Sequence, residues 1–517
     1  MFMERSYIPV VLFCMVMISC SGGREYGGVF IRAHYIPPNT LSGLGQLSLP
    51  QNSDSVSVTI TGTDFVPIVK QVRVAASPSG TTIDGIPAGT NRTVSVEVRD
   101  ASSTTIARGK TAGVRIDAGG VNDVDILITQ TGVFTRLGSK VMPRAFALSS
   151  PLPDGTYLIM GGVTDQQSSC GQGCSRLPAT SATEIYRPDT GTFTQGPGMT
   201  EARVLFTASR LSDGSIMVAG GAGAVDVSCS TTACSVSVPQ DGTKTSIEVY
   251  DPKSNSFYKA GTMAVPRAGH TANALSDDAV LIAGGIGPDG PIREAELMEL
   301  KTSKDTLYAM SAARAFHASA AYSGEAVFLA GGSSCGSAEL FQVSVTVPSE
   351  EPVEKSGPGV LALLAGFTSV SNIAFTTSFL SSILLPPDDD VLVNGGFASG
   401  WMPVSGLTIV SPIRKIVLGY YSMFLPRALF SDIPLGNNSV LIAGGVTTSV
   451  FTATSSAEVF STVSKSFTGH PLLSVPRAGY AGQGLADGSA LIVSGFSTVD
   501  PAAGAIVFHD SAEVYNP

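Results

Sequence analysis

The cysteines beyond residue 130 have the spacing that most directly suggests chemistry. Cys170 and Cys174 lie in one loop, Cys229 and Cys234 lie in a second, and Cys335 stands alone. In an exported protein, closely spaced pairs are typical of disulfides before they indicate metal ligands. No histidine flanks either pair and no four-ligand zinc set is visible, so free thiols and a metal site are the weaker alternatives. The sequence therefore predicts two small disulfide-closed loops and no metal site.

The histidines and carboxylates give little indication of catalysis. His270 and His317 occupy the same position of a repeated pattern, where Phe or Tyr stands in other copies, so we expect a structural role for both. No acid–base pair and no activated nucleophile rises above background. We therefore predict no catalytic residue and no cofactor.

Six arginines and six glutamates recur at fixed places in the same pattern. Seventeen residues after each arginine comes a pair of small residues, usually Gly-Gly, and each glutamate opens the strand that follows. In the remaining copy, whose small-residue pair is Gly395-Gly396, Ser378 stands at the arginine position and Leu407 stands at the glutamate position. One copy thus lacks both charges, which favours ion pairs over a charged surface for a ligand. The predicted pairs are Arg144–Glu184, Arg203–Glu248, Arg267–Glu296, Arg314–Glu339, Arg427–Glu458 and Arg477–Glu513.

The pattern also predicts how these charges meet. The two members of a pair lie two strands apart, about 9–10 Å between backbones. The small residues lie on the strand between them, so the arginine stem can cross that strand and reach the carboxylate. We expect each pair to be buried within one unit.

Each copy of the pattern reads as four short strands. In the copy from Arg427 to Phe460, β-rich stretches are separated by turn residues, and in other copies the first turn is Asp-Gly, as at Asp154-Gly155. Asp-Gly accepts the positive φ of a tight hairpin, so the first two strands pair antiparallel. A repeated unit of four antiparallel strands is typical of a β-propeller.

The repeats resemble those of the kelch family. The resemblance extends from about Gly132 to Pro517 and rests on the Pro-Arg start, the glycine doublet and the turn at Tyr250-Asp251-Pro252. Kelch units usually carry Trp in the fourth strand, and here that residue is Phe, at Phe193, Phe257 and Phe467. The resemblance implies an all-β, kelch-type propeller. The Tyr/His/Cys metal set of kelch-like copper oxidases is not reproduced.

The number of small-residue pairs and the two ends of the repeat region predict a closed ring. Seven such pairs indicate seven blades. Residues 132–138 resemble a fourth strand, and residues 511–515 form a third strand with nothing after it. We expect the two to pair and close the ring. The uncharged stretch 356–387 is read as strands of two degenerate blades, with a transmembrane helix as the weaker alternative.

The N-terminus resembles a bacterial lipoprotein signal. An apolar run from Tyr7 to Ile18 is too short to span a bilayer comfortably, and Met17-Ile18-Ser19-Cys20 resembles a lipobox with Cys20 as the acylated residue. Ser21 after the cysteine resembles the outer-membrane pattern. Residues 1–20 are thus predicted to be a signal peptide, with ordinary secretion and an uncleaved anchor as alternatives. The predicted location is the cell envelope, lipid-anchored to the outer membrane and either periplasmic or surface-exposed.

Residues 21–131 differ in composition from the repeats. Stretches such as Ser55–Ile60 and Val94–Val98 alternate apolar and polar residues, which indicates strands with one buried face. We predict a small β-sandwich, immunoglobulin-like or prealbumin-like, that holds the propeller of residues 132–517 away from the membrane. The formal net charge of −10 disfavours nucleic acid as a partner.

These features favour a non-enzymatic module that binds a protein or a glycan. From glycine doublet to glutamate the spacing varies between 8 and 28 residues, whereas the arginine-to-doublet spacing stays constant. Variable loops on a constant frame are typical of recognition sites. We expect the ligand on this loop face, nearest the loops 165–178 and 224–242. The alternatives are a secreted carbohydrate oxidase or glycosidase with a site at the propeller axis, and a purely structural envelope component.

Overall fold

The regular structure of this chain is almost entirely β-strand. The computed structural model describes residues 25–38, 49–73, 83, 85–139, 141–240, 242–275, 279–300, 304–322, 324–332, 337–345, 363–374, 377–499 and 506–517. Within these ranges the one helical segment is a 3-10 turn at Ser399–Trp401. No helix among the described residues is long and apolar enough to cross a membrane. The prediction of an all-β chain is confirmed.

The first described strands form one seven-stranded sheet. Its order is Phe65–Arg73, Ser55–Gly62, Gly89–Arg99, Thr105–Ile116, Val121–Gln130, Tyr26–Ile36 and Ile86–Pro87. The fourth and fifth strands in this order pair only at Ala107–Gln130 and Arg108–Thr129. On both sides of this two-residue junction, every second side chain along the strands packs into a single buried hydrophobic cluster. The sequence does not indicate that Tyr26–Ile36 and Val121–Gln130 pair in parallel.

Seven further four-stranded arrangements, which we call units one to seven, follow among the described residues. Unit one comprises Leu148–Pro151, Tyr157–Met160, Thr183–Arg187 and Thr192–Gln195. Unit two comprises Thr207–Arg210, Ile216–Ala219, Ser246–Asp251 and Ser256–Thr262. Unit three comprises Thr271–Ala274, Ala279–Ala283, Glu294–Glu299 and Lys304–Ala309. Unit four comprises Ala318–Tyr322, Ala326–Ala330, Ser337–Val345 and Leu363–Ala374. Unit five comprises Ser381–Leu385, Asp390–Asn394, Met402–Ser411 and Ile416–Arg427. Unit six comprises Asp432–Leu435, Ser439–Ala443, Ala457–Ser461 and Ser466–Gly469. Unit seven comprises Ala481–Gly484, Ala490–Val493, Ala512–Tyr515 and Phe134–Arg136.

Turn chemistry shapes each unit locally. In unit one the Asp154 carboxylate accepts hydrogen bonds from the backbone N–H and the hydroxyl of Thr156, and Gly155 adopts φ 86°. This turn sets the antiparallel register that pairs Leu148 with Met160. The second strand of the unit is fully buried, because neighbouring units cover both of its faces.

The units are arranged in a ring. The first strand of each unit contacts the first strand of the next, and the first strand of unit seven contacts that of unit one. The fourth strand of unit seven, Phe134–Arg136, comes from the start of the repeat region and pairs with Ala512–Tyr515. The first and last parts of the repeat region are thus joined by strand pairing. Arg108 of the N-terminal sheet also donates to the Asn516 side chain, at 2.6 Å.

Unit five corrects the sequence alignment by one residue. The N–H of Gly332 donates to the carbonyl of Thr377, just as the N–H of Gly285 donates to that of Arg314. Thr377, rather than Ser378, therefore occupies the arginine position. The reason is one extra residue in the turn between Ser381–Leu385 and Asp390–Asn394, which a gap-free alignment cannot accommodate.

The glutamate position of unit five shifts in the same way. In unit six Glu458 pairs with Ile442, the residue two before the doublet, and the equivalent residue Val393 pairs with Thr408. Thr408, rather than Leu407, stands at this position. Unit five thus carries a threonine in place of each charge.

Three predictions concern residues in or near the undescribed parts of the chain. The described part of the uncharged stretch contains the strands Leu363–Ala374 and Ser381–Leu385. The signal segment 1–20 with Cys20, and the lone Cys335, lie outside the described residues.

Candidate functional site

The six arginines and six glutamates form ion pairs in the interior of their units. Arg203–Glu248, Arg427–Glu458 and Arg477–Glu513 lie at 2.7 Å. The other three pairs are Arg144–Glu184, Arg267–Glu296 and Arg314–Glu339. All six arginine side chains are fully buried, and Glu184 is the most exposed of the acids at 13%.

Each pair is part of a larger hydrogen-bond network. In unit seven, Arg477 Nη1 donates to the carbonyls of Ser494 and Ser511, at 2.9 and 3.0 Å. The second carboxylate oxygen of Glu513 accepts the backbone N–H of Ser474, at 2.8 Å. The network joins the first three strands of a unit to the segment that enters it. These charges are paired with one another and shielded from water. They therefore stabilise the frame and are not exposed to a ligand.

A ring of residues with left-handed backbone surrounds the axis, two positions after each arginine and, in unit five, two positions after Thr377. All seven residues there have φ between 53° and 58°: Phe146, Leu205, Gly269, Phe316, Phe379, Leu429 and Gly479. This left-handed region is rare for bulky side chains and costs on the order of 1–3 kcal/mol per residue. We call this set the axial ring.

Backbone hydrogen bonds and ring packing explain this conformation. The N–H of Phe316 donates to the carbonyl of Gly269, and that of Phe379 donates to Phe316, at 2.8 and 2.7 Å. The rings of Phe316 and Phe379 stack at 4.0 Å between centroids. A Cβ on Gly269 would lie 2.3 Å from the Phe316 ring, so a side chain there would displace that ring. The left-handed turn thus links neighbouring units around the axis.

A cavity of about 330 Å³ lies along the axis against this ring. Its lining includes the axial ring and the residues just beyond it, among them Phe206, Phe430 and Tyr480. None of the described residues in the lining is Asp, Glu, Lys or Arg. The cavity is therefore mostly apolar and aromatic, with a small number of polar groups.

His270 and His317 supply two of those polar groups. Their Nε2 atoms lie 3.0 and 2.9 Å from the hydroxyls of Thr207 and Thr271, each in the preceding unit. Both side chains are buried, and neither Nδ1 atom has a partner. Burial lowers the pKa of His270 well below its usual value and that of His317 to about 3, so both imidazoles are neutral.

Two buried polar groups near the axis were not indicated by any pattern in the sequence. The Tyr480 hydroxyl donates to the Ala443 carbonyl at 2.6 Å, and burial raises its pKa. Asp432 accepts a hydrogen bond from the Asn394 side chain at 2.9 Å, and burial raises its pKa to about 7. The carboxylate oxygen Oδ2 of Asp432 is shielded and unpartnered, although the residue as a whole keeps some exposure. Asp432 does not line the cavity.

The two cysteine loops combine into one extra sheet. Its strands, in order, are Ser168–Gly171, Cys174–Pro178, Ala224–Cys229 and Cys234–Ser237, and we call them the cover sheet. One face buries Leu177, Val225, Val227 and Val236 in a cluster that also contains Leu429 of the axial ring. The cover sheet therefore packs over one end of the axis, and the axial ring separates it from the cavity.

Disulfides and cross-ring contacts hold the cover sheet in place. Cys170–Cys174 and Cys229–Cys234 are disulfide-bonded, which confirms the prediction for both pairs. The hairpin of the second disulfide reaches unit six, where the Cys234 N–H donates to the Ser449 carbonyl at 2.7 Å. The loops of units one and two thus extend across the ring.

The outer face of the cover sheet is polar. Arg176 and Asp226 form a two-fold hydrogen-bonded pair at 2.7 and 2.8 Å on this face. Serines such as Ser168 and Ser228 are exposed on the same face. The result is a braced, hydrogen-bonding surface at the centre of the loop face.

The described His, Cys, Asp and Glu side chains do not assemble a metal centre. The one group of three metal-binding side chains among them is Cys170, Cys174 and Asp226, and its two sulfurs are joined to each other. Neither thiolate is therefore available as a ligand. At the axis the described imidazoles number two, and no described Cys, Asp or Glu lies close enough to complete a group of three with them.

Comparison with known proteins identifies a fold relative and no family. No family model matches the chain, and no curated protein matches it significantly. Among solved structures, a fungal alcohol oxidase of the AA5 family, in complex with copper, is similar with a TM-score of 0.53 and 14% identity. The match covers 73% of this chain and 75% of the oxidase. At this identity the likeness concerns the fold alone.

Proposed function

We propose that the chain is a cell-envelope lipoprotein whose kelch-type, seven-bladed β-propeller binds a protein or glycan ligand without enzymatic activity. The observation that carries the proposal is the cover sheet. Two loops of different units combine there into one braced surface, whose inner face is apolar and whose outer face is polar. Rigid loops on a constant frame are how binding modules usually display their contacts.

The seven-unit ring supports the propeller assignment. Contacts between successive first strands run around the whole ring, and the last unit is completed by a strand from the start of the repeat region. We assign residues 132–517 to the propeller and residues 21–131 to a β-sandwich stalk. The single buried cluster of the N-terminal sheet supports the second assignment.

Export and tethering are the second part of the proposal. Two disulfides fit an oxidising compartment outside the cytoplasm. We propose that residues 1–20 direct export, that Cys20 carries the lipid, and that the protein is anchored to the outer membrane. Mass spectrometry of the membrane-extracted protein tests this directly. A diacylated N-terminal Cys20 is expected, and an unmodified N-terminus elsewhere would overturn the tether.

The ligand is expected on the polar outer face of the cover sheet. Deleting the loops 165–178 and 224–242 would test this poorly, because their inner faces cover the apolar end of the axis. Point variants on the outer face are cleaner. Arg176→Glu reverses a half-exposed charge beside Asp226 without touching the buried face.

Glycan and protein arrays probed with the mature chain carrying Cys20→Ser provide the experiment. We expect the arrays to identify a ligand that the protein with the unaltered surface binds and that the Arg176→Glu variant no longer binds. The matched control is Arg115→Glu, an exposed charge on the N-terminal sheet that also neighbours an aspartate, Asp117. A ligand equally retained by both variants would remove the cover sheet as the site, and no ligand on either array would favour a structural component.

The second candidate is a carbohydrate oxidase or glycosidase with its site at the axis. The axial cavity is the observation in its favour. Against a glycosidase, the described residues that line that cavity include no Asp or Glu, whereas most glycosidases use a pair of them. We therefore place the binding module first.

A further inference from the structure

We propose that the N-terminal sheet rests with one end on the lipid bilayer and that the cover sheet faces away from it. That end comprises Tyr26, the turn at residues 62–66 and the turn at residues 117–121, and we call it the far end. This orientation rests on the proposed acylation of Cys20. It adds to that proposal a surface that meets lipid and a direction for the ligand surface.

Hydrogen bonds bring the three parts of the far end together. The Gly119 N–H donates to the Tyr26 carbonyl at 2.8 Å, which joins the turn at 117–121 to the first strand. Ala88 follows the short strand that pairs with Tyr26, and its carbonyl accepts a hydrogen bond from Arg92 at 2.8 Å. The Arg92 guanidinium also pairs with Asp64 in the turn at 62–66. The far end is thus one connected surface.

The far end lies at the opposite end of the N-terminal sheet from the ring. The strand Tyr26–Ile36 contains 11 residues and, at about 3.3 Å per residue, extends for roughly 33 Å. Its last residue, Ile36, shares a buried cluster with Tyr157 of unit one. At the same junction Asn516 Nδ2 donates to the Arg108 carbonyl at 3.0 Å. Buried apolar contact together with hydrogen bonds holds the sheet in one orientation on the ring.

The N-terminal sheet and the cover sheet lie on opposite faces of the ring. Residues 110–112 of the N-terminal sheet line a small cavity with the turns 154–157, 187–189 and 485–487. Those turns join first to second strands, or third to fourth strands, of units one and seven. The loops that form the cover sheet join second to third strands, so they leave the units at the other face. A ligand of the cover sheet therefore approaches from the side of the ring away from the bilayer.

The short link to Cys20 brings the far end to the bilayer. Four residues separate Cys20 from Glu25, which directly precedes Tyr26. At no more than about 3.6 Å per residue, the Cα atoms of Cys20 and Glu25 lie at most about 18 Å apart. Acyl chains on Cys20 would lie in the hydrocarbon core and hold this residue at the surface of the bilayer. The far end therefore stays within that distance of the lipid headgroups.

The side chains of the far end suit contact with headgroups. Val66 is 83% exposed beside one turn, and Val121 is 46% exposed beside the other. The aspartates of the two turns, Asp64 and Asp117, are each paired with an arginine of the sheet. Unpaired acidic groups would be repelled by anionic lipids, whereas these charges are balanced within the sheet. The exposed valines gain by leaving water at the interface.

Fluorescence quenching in vesicles tests the orientation. The membrane-extracted protein is reconstituted in phosphatidylethanolamine and phosphatidylglycerol vesicles that contain a phosphatidylcholine spin-labelled on its headgroup. In a Cys335→Ser background, a fluorophore is attached at Val66→Cys, at Ala101→Cys in the exposed turn of the sheet near the ring, or at Ser237→Cys on the outer face of the cover sheet. We expect quenching at Val66→Cys and none at the other two sites. Equal quenching at Ala101→Cys, quenching at Ser237→Cys, or none at Val66→Cys would overturn the orientation.

Two further measurements separate this orientation from the anchor and from any effect of the label. Mass spectrometry of the same sample reports acylation: a Cys20 without lipid removes the proposed anchor, whereas an acylated chain without quenching at Val66→Cys overturns the orientation alone. Hydrogen exchange of the unlabelled protein in vesicles is compared with that of the Cys20→Ser chain. Amides of residues 62–66 and 117–121 should exchange more slowly in the anchored protein, and those of the cover sheet should not change. Slower exchange in the cover sheet, or no change at the far end, would contradict the orientation.

Discussion

Gly444 lies so close to the main chain of Arg477 in the next unit that a Cβ on Gly444 would be 2.3 Å from the Arg477 carbonyl oxygen. The following residue, Gly445, donates its N–H to that same oxygen at 2.9 Å. Similar close approaches occur at Gly220 and Gly284, where the distances are 2.6 and 2.4 Å. The first position of the doublet therefore leaves little room for a side chain at these three sites, and in unit seven the small Ser494 occupies it with φ 58°.

Gly444→Ala should destabilise the protein by at least about 2 kcal/mol, because the new methyl group meets backbone and φ is 56°. Urea unfolding measures the change. Gly406→Ala is the control, since nothing lies within 4 Å of its added Cβ and its φ is not positive. Similar unfolding free energies for the two variants would show that the close approach is not limiting.

The buried ion pairs should be sensitive to loss of one partner. Glu458→Gln leaves the fully buried Arg427 without its counter-charge and should cost about 3–5 kcal/mol of unfolding free energy. Glu97→Gln breaks an exposed pair with Arg99 and should cost under about 1 kcal/mol. Arg427→Met combined with Glu458→Leu should recover much of the loss, since no lone charge remains. A double variant worse than Glu458→Gln would contradict this account.

The sequence predicts the paired side chains of this molecule well and its axis poorly. The partners of the arginines follow from an invariant spacing, and the disulfides follow from closely spaced cysteines. Unit five is misaligned by one residue because its first turn is longer, and sequence spacing alone gives no sign of that.

The axial ring and the cover sheet escape prediction for physical reasons. Phe146, Leu205 and Gly269 share a backbone conformation without sharing a residue type, so no motif marks them. The cover sheet arises when Cys174–Pro178 pairs with Ala224–Cys229, and that pairing joins loops of separate units. Burial raises the pKa of Asp432, and its hydrogen-bond partner Asn394 comes from unit five, neither of which adjacent sequence reveals.

The second disulfide should stabilise the cover sheet locally. The cross-link Cys229–Cys234 closes a loop with a sequence separation of 5, for which loop entropy gives about 2 kcal/mol. Trp401, the one tryptophan of the chain, packs against Phe397 and Phe451 in the cluster beneath the sheet. Cys229→Ser with Cys234→Ser should therefore speed proteolysis within residues 224–237 and shift Trp401 emission to longer wavelength. The ring itself should keep its unfolding midpoint within a few degrees, and a cooperative loss of the whole fold would contradict a local role.

The Asp432 carboxyl should make stability depend on pH. Its folded pKa is about 7, against 3.8 for an ordinary aspartate, because burial disfavours the ionised form. The folded protein therefore holds a proton that the unfolded chain releases. This contribution to stability is fully present below pH 3.8 and is lost as the pH rises towards 7.

Asp432→Asn should remove this dependence. The amide keeps the acceptor for Asn394 and places a donor at the position of the unpartnered Oδ2. Urea unfolding at pH 5, 6, 7 and 8 should show the variant gaining stability over the unaltered protein as the pH rises, with the gain levelling off above pH 7. Asp165→Asn, at an exposed site, is the control and should show no such trend. A stability difference for Asp432→Asn that stays constant from pH 5 to 8 would mean that this carboxyl does not titrate in that window.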